Sequence, residues 1–269
     1  MTGSPSKSFI LALCLFSLAA CNQAESDSAE KETMFQVATL QSLMVGNYDG
    51  FVSIGELKRH GDVGLGTFER VNGEMIVLDG HVYQALGDGS VRIADDGDTT
   101  PFSTVTWFEA DITDELNPFE NVSALERQLD SIVYGNGRNF IYALRLDIDA
   151  CDVTFRSELP MEKPYGPLSE VLPDKQRSFS CRNTGGTVVA VYFPSFFSGQ
   201  NTPGWHFHFI SSDRSQGGHM LEISSIGKST ARLDATPYFN LYLPAENTFS
   251  RRDLSGDMSE DIEKVEHSN

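Results

Sequence analysis

Basic residues are scarce in this sequence: 20 Lys and Arg stand against 38 Asp and Glu, a formal net charge of −18 over 269 residues. Such a chain repels a polyanion unless a local basic patch exists, and its densest basic spots are only the pairs Lys58-Arg59 and Arg251-Arg252. No nucleic-acid partner is therefore expected. No apolar run reaches the roughly 18–20 residues that would span a bilayer as a helix. Cysteine is sparse too, at four residues, which excludes a small fold built on disulfides. No internal repeat indicates a solenoid or propeller. What is present is an ordinary globular balance, 40% hydrophobic and 22% charged. The length suits one large domain or two small ones around a substantial core.

The N-terminus reads as an address. Lys7 precedes an apolar stretch from Phe9 to Phe16, and Ser17-Leu18-Ala19-Ala20-Cys21 follows. A positive start, a short apolar stretch and small residues at the cut describe a secretory signal. The Leu-Ala-Ala-Cys ending resembles a bacterial lipobox. That resemblance implies that residues 1–20 are a lipoprotein signal peptide and that Cys21 carries lipid; the alternative is an ordinary cleavage site that precedes a cysteine. Residues 21–33 contain no large apolar side chain and are expected to form a flexible acidic tether. The expected location is the cell envelope, at the outer membrane or its periplasmic face, with the lipid anchor as the membrane contact. In that oxidising compartment Cys151 and Cys181 form either a disulfide or two buried thiols.

The body reads as short strands with a few helices. Gly and Pro punctuate it, and most apolar segments between them are β-branched or aromatic. Candidate strands are Met75–Leu78, His81–Ala85, Ser103–Phe108, Phe140–Ile148, Thr187–Phe193, Trp205–Ser211, His219–Ser224, Ser229–Leu233 and Phe239–Leu243. Helical spacing of Phe119, Val122, Leu125, Leu129 and Ile132 predicts a helix over Pro118–Val133, stopped by Gly135. Shorter helices are expected near Leu40–Val45 and Ser53–Lys58. The fold class is α+β with extended mixed or antiparallel sheets. The proline-rich segment Leu159–Pro167 is the best internal boundary, dividing residues 34–160 from residues 161–269.

Three of the six histidines fall in Trp205-His206-Phe207-His208-Phe209 and Gly217-Gly218-His219. Positions i and i+2 of a strand share a face, so His206 and His208 point the same way. The polar stretch from Ser211 to Gly218 is a turn, and the resulting hairpin brings His219 beside them. Three converging imidazoles with room for a further ligand describe a catalytic metal site, with Zn²⁺ as the default and Fe, Co, Ni or Cu also accepted. The plainer alternative is a set of partly exposed polar-face histidines. His60, His81 and His267 are read as surface residues. Arg145 interrupts the apolar run Phe140–Leu146, so its charge needs an ion-pair partner or an anionic substrate. Glu74 opens a strand after a turn and, taken alone, reads as a surface carboxylate.

The chain resembles the bacterial acetolactate decarboxylases from about Phe35 through Pro244. The likeness is carried by Gly46-Asn-Tyr-Asp-Gly50, by His60-Gly-Asp-Val-Gly-Leu-Gly-Thr-Phe68, by Asn72-Gly-Glu-Met75 and by Leu78-Asp-Gly-His-Val-Tyr-Gln84, and it continues through Gly204–Phe209 and Gly217–His219. It implies a fold of two related α+β parts. It also implies metal-dependent decarboxylation of (S)-2-acetolactate to (R)-acetoin and CO₂. His206, His208 and His219 fall on the family's metal ligands, and a tail glutamate joins them, Glu266 or its rival Glu263. Glu74, Arg145 and Thr67 fall on its active-site residues. The partner is then a small-molecule substrate, and a homodimer is allowed for. Two alternatives stay open: another metal-dependent β-keto acid decarboxylase or hydrolase, and a non-catalytic metal-binding lipoprotein.

Overall fold

The structure is a computed structural model that describes residues 29–267. The expected signal peptide, Cys21 and the tether up to residue 28 lie outside the described residues. The last residues assigned to the tether do not behave as one. Residues 29–31 make a helical turn, Thr33 Oγ1 donates to the Ala29 carbonyl, and Lys31 pairs with Glu109 at 2.9 Å.

In chain order, β1 is Thr33–Val37, α1 Leu40–Met44, β2 Val52–Ser53, α2 Ile54–Leu57, β3 Val63–Thr67, β4 Glu74–Leu78, β5 His81–Ala85, β6 Val91–Ile93, β7 Thr99–Thr100, β8 Phe102–Thr106 and β9 Ile112–Leu116. There follow α3 Val122–Asn136, β10 Ile141–Glu158, α4 Leu168–Lys175, β11 Gln176–Phe193, β12 Gly204–Ser211, β13 Gly217–Ser224, β14 Ser229–Thr236, β15 Tyr238–Tyr242, α5 Asn247–Ser250 and α6 Ser259–His267. Seven strands form one sheet in the order β15-β1-β8-β3-β4-β5-β6. The other sheet runs β11-β12-β13-β10-β14-β9, and β10 also pairs with β11, so β10, β11, β12 and β13 close on themselves. Among the described residues β1 and β15 pair in parallel and the other strand ladders are antiparallel. The α+β expectation with extended sheets is met.

The expected division at residue 160 is not. β9 and β10 lie N-terminal to it yet belong to the second sheet, and β15 lies C-terminal to it yet belongs to the first. The proline-rich segment connects β10 to α4 and β11. These two 18-residue strands are partners along most of their length, so it bridges a pair rather than separating domains. The helix expected from Pro118 starts at Val122, because Asn121 caps it by accepting from Ala124 N at 2.8 Å. It ends at Gly137 rather than Gly135, where φ reaches +138°. Its Leu125, Leu129, Ile132 and Val133 pack on the second sheet's core with Tyr142, Leu144, Phe155 and Phe209. Between the sheets, Ile76 and Leu78 of β4 meet Val189 and Ile210. Leu65 of β3 meets Ala143 and Val191. Both Cys151 and Cys181 are free thiols. No helix among the described residues is long and apolar enough to cross a membrane.

Asp234 of β14 is 2% exposed and faces Glu32 and Asp111. Burial, followed by repulsion from Asp111, Glu32 and Glu109, pushes its pKa up to about 7. The folded state therefore holds a proton that the unfolded chain has released, and stability falls as pH rises from about 4 to about 7. Asp234→Asn removes that loss. Its melting temperature relative to the parent is expected to be unchanged near pH 4 and higher near pH 8, by about 2–4 °C for each kcal/mol recovered. A difference that is the same at both pH values would show that Asp234 does not titrate in this window.

Candidate active site

The site forms where the first sheet's β3–β4 hairpin meets the β12–β13 hairpin of the second. Alternation along β12 puts His206 and His208 on one face, with Phe207 and Phe209 packed in the core on the other. His208 pairs with His219 of β13 in register. Gly218 permits this approach: its φ is +153°, and a Cβ there would lie 2.2 Å from the Arg156 carbonyl of β10. His219 in turn stands opposite Arg156 on β10. All three histidines are buried, His208 completely.

Their ring nitrogens converge. His206 Nε2 lies 3.2 Å from His208 Nε2 and 3.1 Å from His219 Nδ1. The far nitrogens of two rings meet backbone carbonyls, His208 Nδ1 at Met75 O (2.8 Å) and His219 Nε2 at Glu266 O (3.1 Å). Those acceptors hold the ring protons on the far side and turn unprotonated lone pairs inward. Burial, then the charge of the neighbouring His206, holds His208 well below the usual histidine range. Burial, followed by the Arg156 charge and the other two imidazoles, does the same to His219. Neutral nitrogens about 3.4 Å apart are the edges of a tetrahedron around an ion with bonds of about 2.0–2.1 Å. The donor set therefore fits a metal ion.

Two carboxylates flank the imidazoles. Glu74 Oε2 is 3.4 Å from His208 Nε2, and Glu266 Oε2 is 3.4 Å from His206 Nε2. Glu266 reaches the site because α6 buries Ile262, Val265 and Glu266 on one face, while Glu263 points to solvent. Ile262 and Val265 pack with Leu40, Leu168 and Leu172. Glu74 is not the surface carboxylate that its position alone suggested. Burial, followed by repulsion from Glu158, holds its pKa well above the usual range. Thr67 pairs with Glu74 across the β3–β4 hairpin and donates to Gly73 O at 2.8 Å, which pins the turn between them.

Arg145 is elsewhere. Its Nη1 donates to Asp79 at 2.6 Å and its Nε to Asp147 at 3.1 Å, in a partly exposed network that also holds Arg232. These carboxylates satisfy the charge, so the ion-pair alternative describes Arg145 and the active-site placement does not. The arginine at the site is Arg156, eleven residues along the same strand and 3% exposed. Sequence reading ended this strand at Ile148, because Asp149 to Asp152 interrupts the apolar pattern. The buried alternation of Cys151, Val153 and Phe155 was the signal that it resumes beyond a bulge, with Arg156 and Glu158 on the opposite face. Arg156, Glu158, Glu74, Thr67, His206, His219 and Glu266 line a cavity whose other walls include Leu40, Leu43, Val71, Phe102, Leu168, Leu172 and Val265. His81 is exposed as expected; His60 is half-buried instead, stacked on Phe35 at 3.8 Å.

A profile of the family described as alpha-acetolactate decarboxylase matches residues 34–256. The chain belongs to that family. The alpha-acetolactate decarboxylase of Methanosarcina mazei is 41% identical over 235 residues, which are 87% of this chain and 80% of that protein. The one from Bacillus subtilis is 33% identical over 236 residues, 87% of this chain and 91% of that protein. A crystal structure of alpha-acetolactate decarboxylase from Bacillus subtilis strain 168 matches with a TM-score of 0.83 and 33% identity, over 88% of this chain and 100% of that one. The family profile stops ten residues short of Glu266, so the tail joins the site through the packing of α6 rather than through the matched region.

The geometry separates two histidine substitutions. His206→Ala and His208→Ala are both expected to lose bound metal, read as metal per chain after dialysis. After chelator treatment of both variants, His208→Ala is expected to melt lower, because it alone leaves the Met75 carbonyl without its donor, a loss of about 1–3 kcal/mol. Equal melting temperatures would show that the bond to Met75 contributes nothing to stability.

Proposed function

We propose that this protein decarboxylates (S)-2-acetolactate to (R)-acetoin, with Zn²⁺ held by His206, His208 and His219 and with Glu266 as the fourth group. The observation that carries the reading is the convergence of three buried imidazoles on one point, beside a cavity lined by Glu74, Glu266 and the buried Arg156. Three imidazoles and a carboxylate oxygen suit zinc among the divalent ions. When bound, the metal supplies Lewis-acid polarisation of the substrate's keto and hydroxyl oxygens.

The protein's own groups do the rest. Arg156 is the one cationic residue lining the cavity and pairs with the substrate carboxylate. The leucines, Val71, Phe102 and Val265 take up the two methyl groups and exclude water. Breaking the bond to the carboxylate releases CO₂ and leaves its electron pair on the carbon skeleton. One proton must then be added on one face. Glu74 is the general acid, because its burial keeps it protonated where an exposed glutamate would be ionised. Thr67, with its proton engaged at Gly73, holds the turn that aims Glu74.

At the level of the cell, the reading is of an enzyme in the envelope, anchored by lipid at Cys21. The lipobox-like ending Leu18-Ala19-Ala20-Cys21 supports it.

The purified protein is expected to form a single acetoin enantiomer from racemic acetolactate faster than a no-enzyme control. A chelator should abolish the rate and zinc should restore it. Glu74→Gln should retain metal yet lose turnover on the order of 10²–10⁴-fold. Folded, metal-loaded protein with no rate above the control would overturn the reading and leave another β-keto acid substrate or a binding role. Full turnover in Glu74→Gln would remove Glu74 from the proton step.

A further inference from the structure

A guanidinium on a long flexible stem can orient an anion only if its plane is fixed. Two residues are placed to fix that of Arg156. Along β10, Glu158 is two positions on and shares its face. Across the ladder, Gln176 of β11 stands opposite Glu158 in register. Gln176 Oε1 accepts from Arg156 Nη1 at 3.0 Å, and Glu158 Oε1 lies 3.7 Å from Nε. At 3.7 Å the second contact is an ion pair without a hydrogen bond. Nε has no acceptor and, the Glu74 carboxyl apart, neither Glu158 oxygen has a donor, although Arg156 is 3% and Glu158 1% exposed. Two buried polar groups left unmet and facing one another are costly to keep unless they serve each other.

We propose that Glu158 and Gln176 are positioning residues for Arg156. They grip the guanidinium at Nε and Nη1 and leave its remaining edge for the anionic group of the substrate. The identity of that anion rests on the decarboxylase reading; the grip does not. Glu158 also touches the Glu74 carboxyl, so a loss of activity alone would not identify its role.

Two readouts on the full, metal-loaded protein test this. The first needs no turnover: the Nε–H signal of Arg156 in ¹⁵N NMR, assigned by its disappearance in Arg156→Lys. It is expected to be protected from solvent exchange in the parent and in Glu158→Gln, and to be lost in Glu158→Ala. The second is a double-mutant cycle on kcat/KM. Glu158→Ala is expected to cost on the order of 10²-fold, as a misplaced orienting group does. Combined with Arg156→Ala it should cost nothing further, and added guanidinium should rescue Arg156→Ala better than the double variant. Gln176→Ala, at a half-exposed position, repeats the cycle should Glu158→Ala not fold. A protected Nε–H in Glu158→Ala, or fully additive losses in the cycle, would overturn the proposal. A parent protein that makes no acetoin would sink the decarboxylase reading alone, since the NMR arm still decides the grip.

Discussion

The hydrogen bond between His208 Nδ1 and the Met75 carbonyl is the contact on which the rest of the site depends. It crosses from β12 to β4, and thus from one sheet to the other. A completely buried imidazole needs a partner for its ring proton, and a buried carbonyl needs a donor. Meeting both needs with one bond locks the two hairpins at a single offset. Glu74, the neighbour of Met75, is thereby delivered beside the Nε2 atom of the same histidine. The bond also settles which nitrogen of His208 faces the cavity.

Charge then decides how the cavity can be used. Glu74, Glu158 and Glu266 line it together with the Arg156 guanidinium and the imidazoles of His206 and His219. Three ionised carboxylates at such spacing would repel one another in a medium that screens poorly. Glu74 relieves part of this by favouring its protonated form, raised by burial and then by repulsion from Glu158. A dication held by the imidazoles would offset the remainder.

Much of this was legible in the sequence. The period-2 placement of His206 and His208, and the glycine-rich turn before His219, place three imidazoles together before any coordinates are known. The α+β class follows from short β-branched runs between Gly and Pro. Other features were hidden for physical reasons. β10 crosses a polar bulge at Asp149–Asp152, so local hydropathy ends the strand too early and the burial of Arg156 and Glu158 goes unseen. Arg145, in the more apolar run, drew attention for a charge that Asp79 and Asp147 answer at the surface. Partners 66 and two residues away cannot be told apart from sequence spacing alone. The domain boundary failed similarly, because sheet membership is set by pairing between distant segments.

Among the described residues α6 follows every strand, and it brings Glu266 to histidines that stand on β12 and β13. A cut in the exposed stretch near Asp253–Asp257 would part Glu266, together with Ile262 and Val265, from the rest of the site. The helix that packs Ile262 and Val265 against Leu40, Leu168 and Leu172 is thus the one that carries a carboxylate beside His206, so damage to it would strike packing and site together.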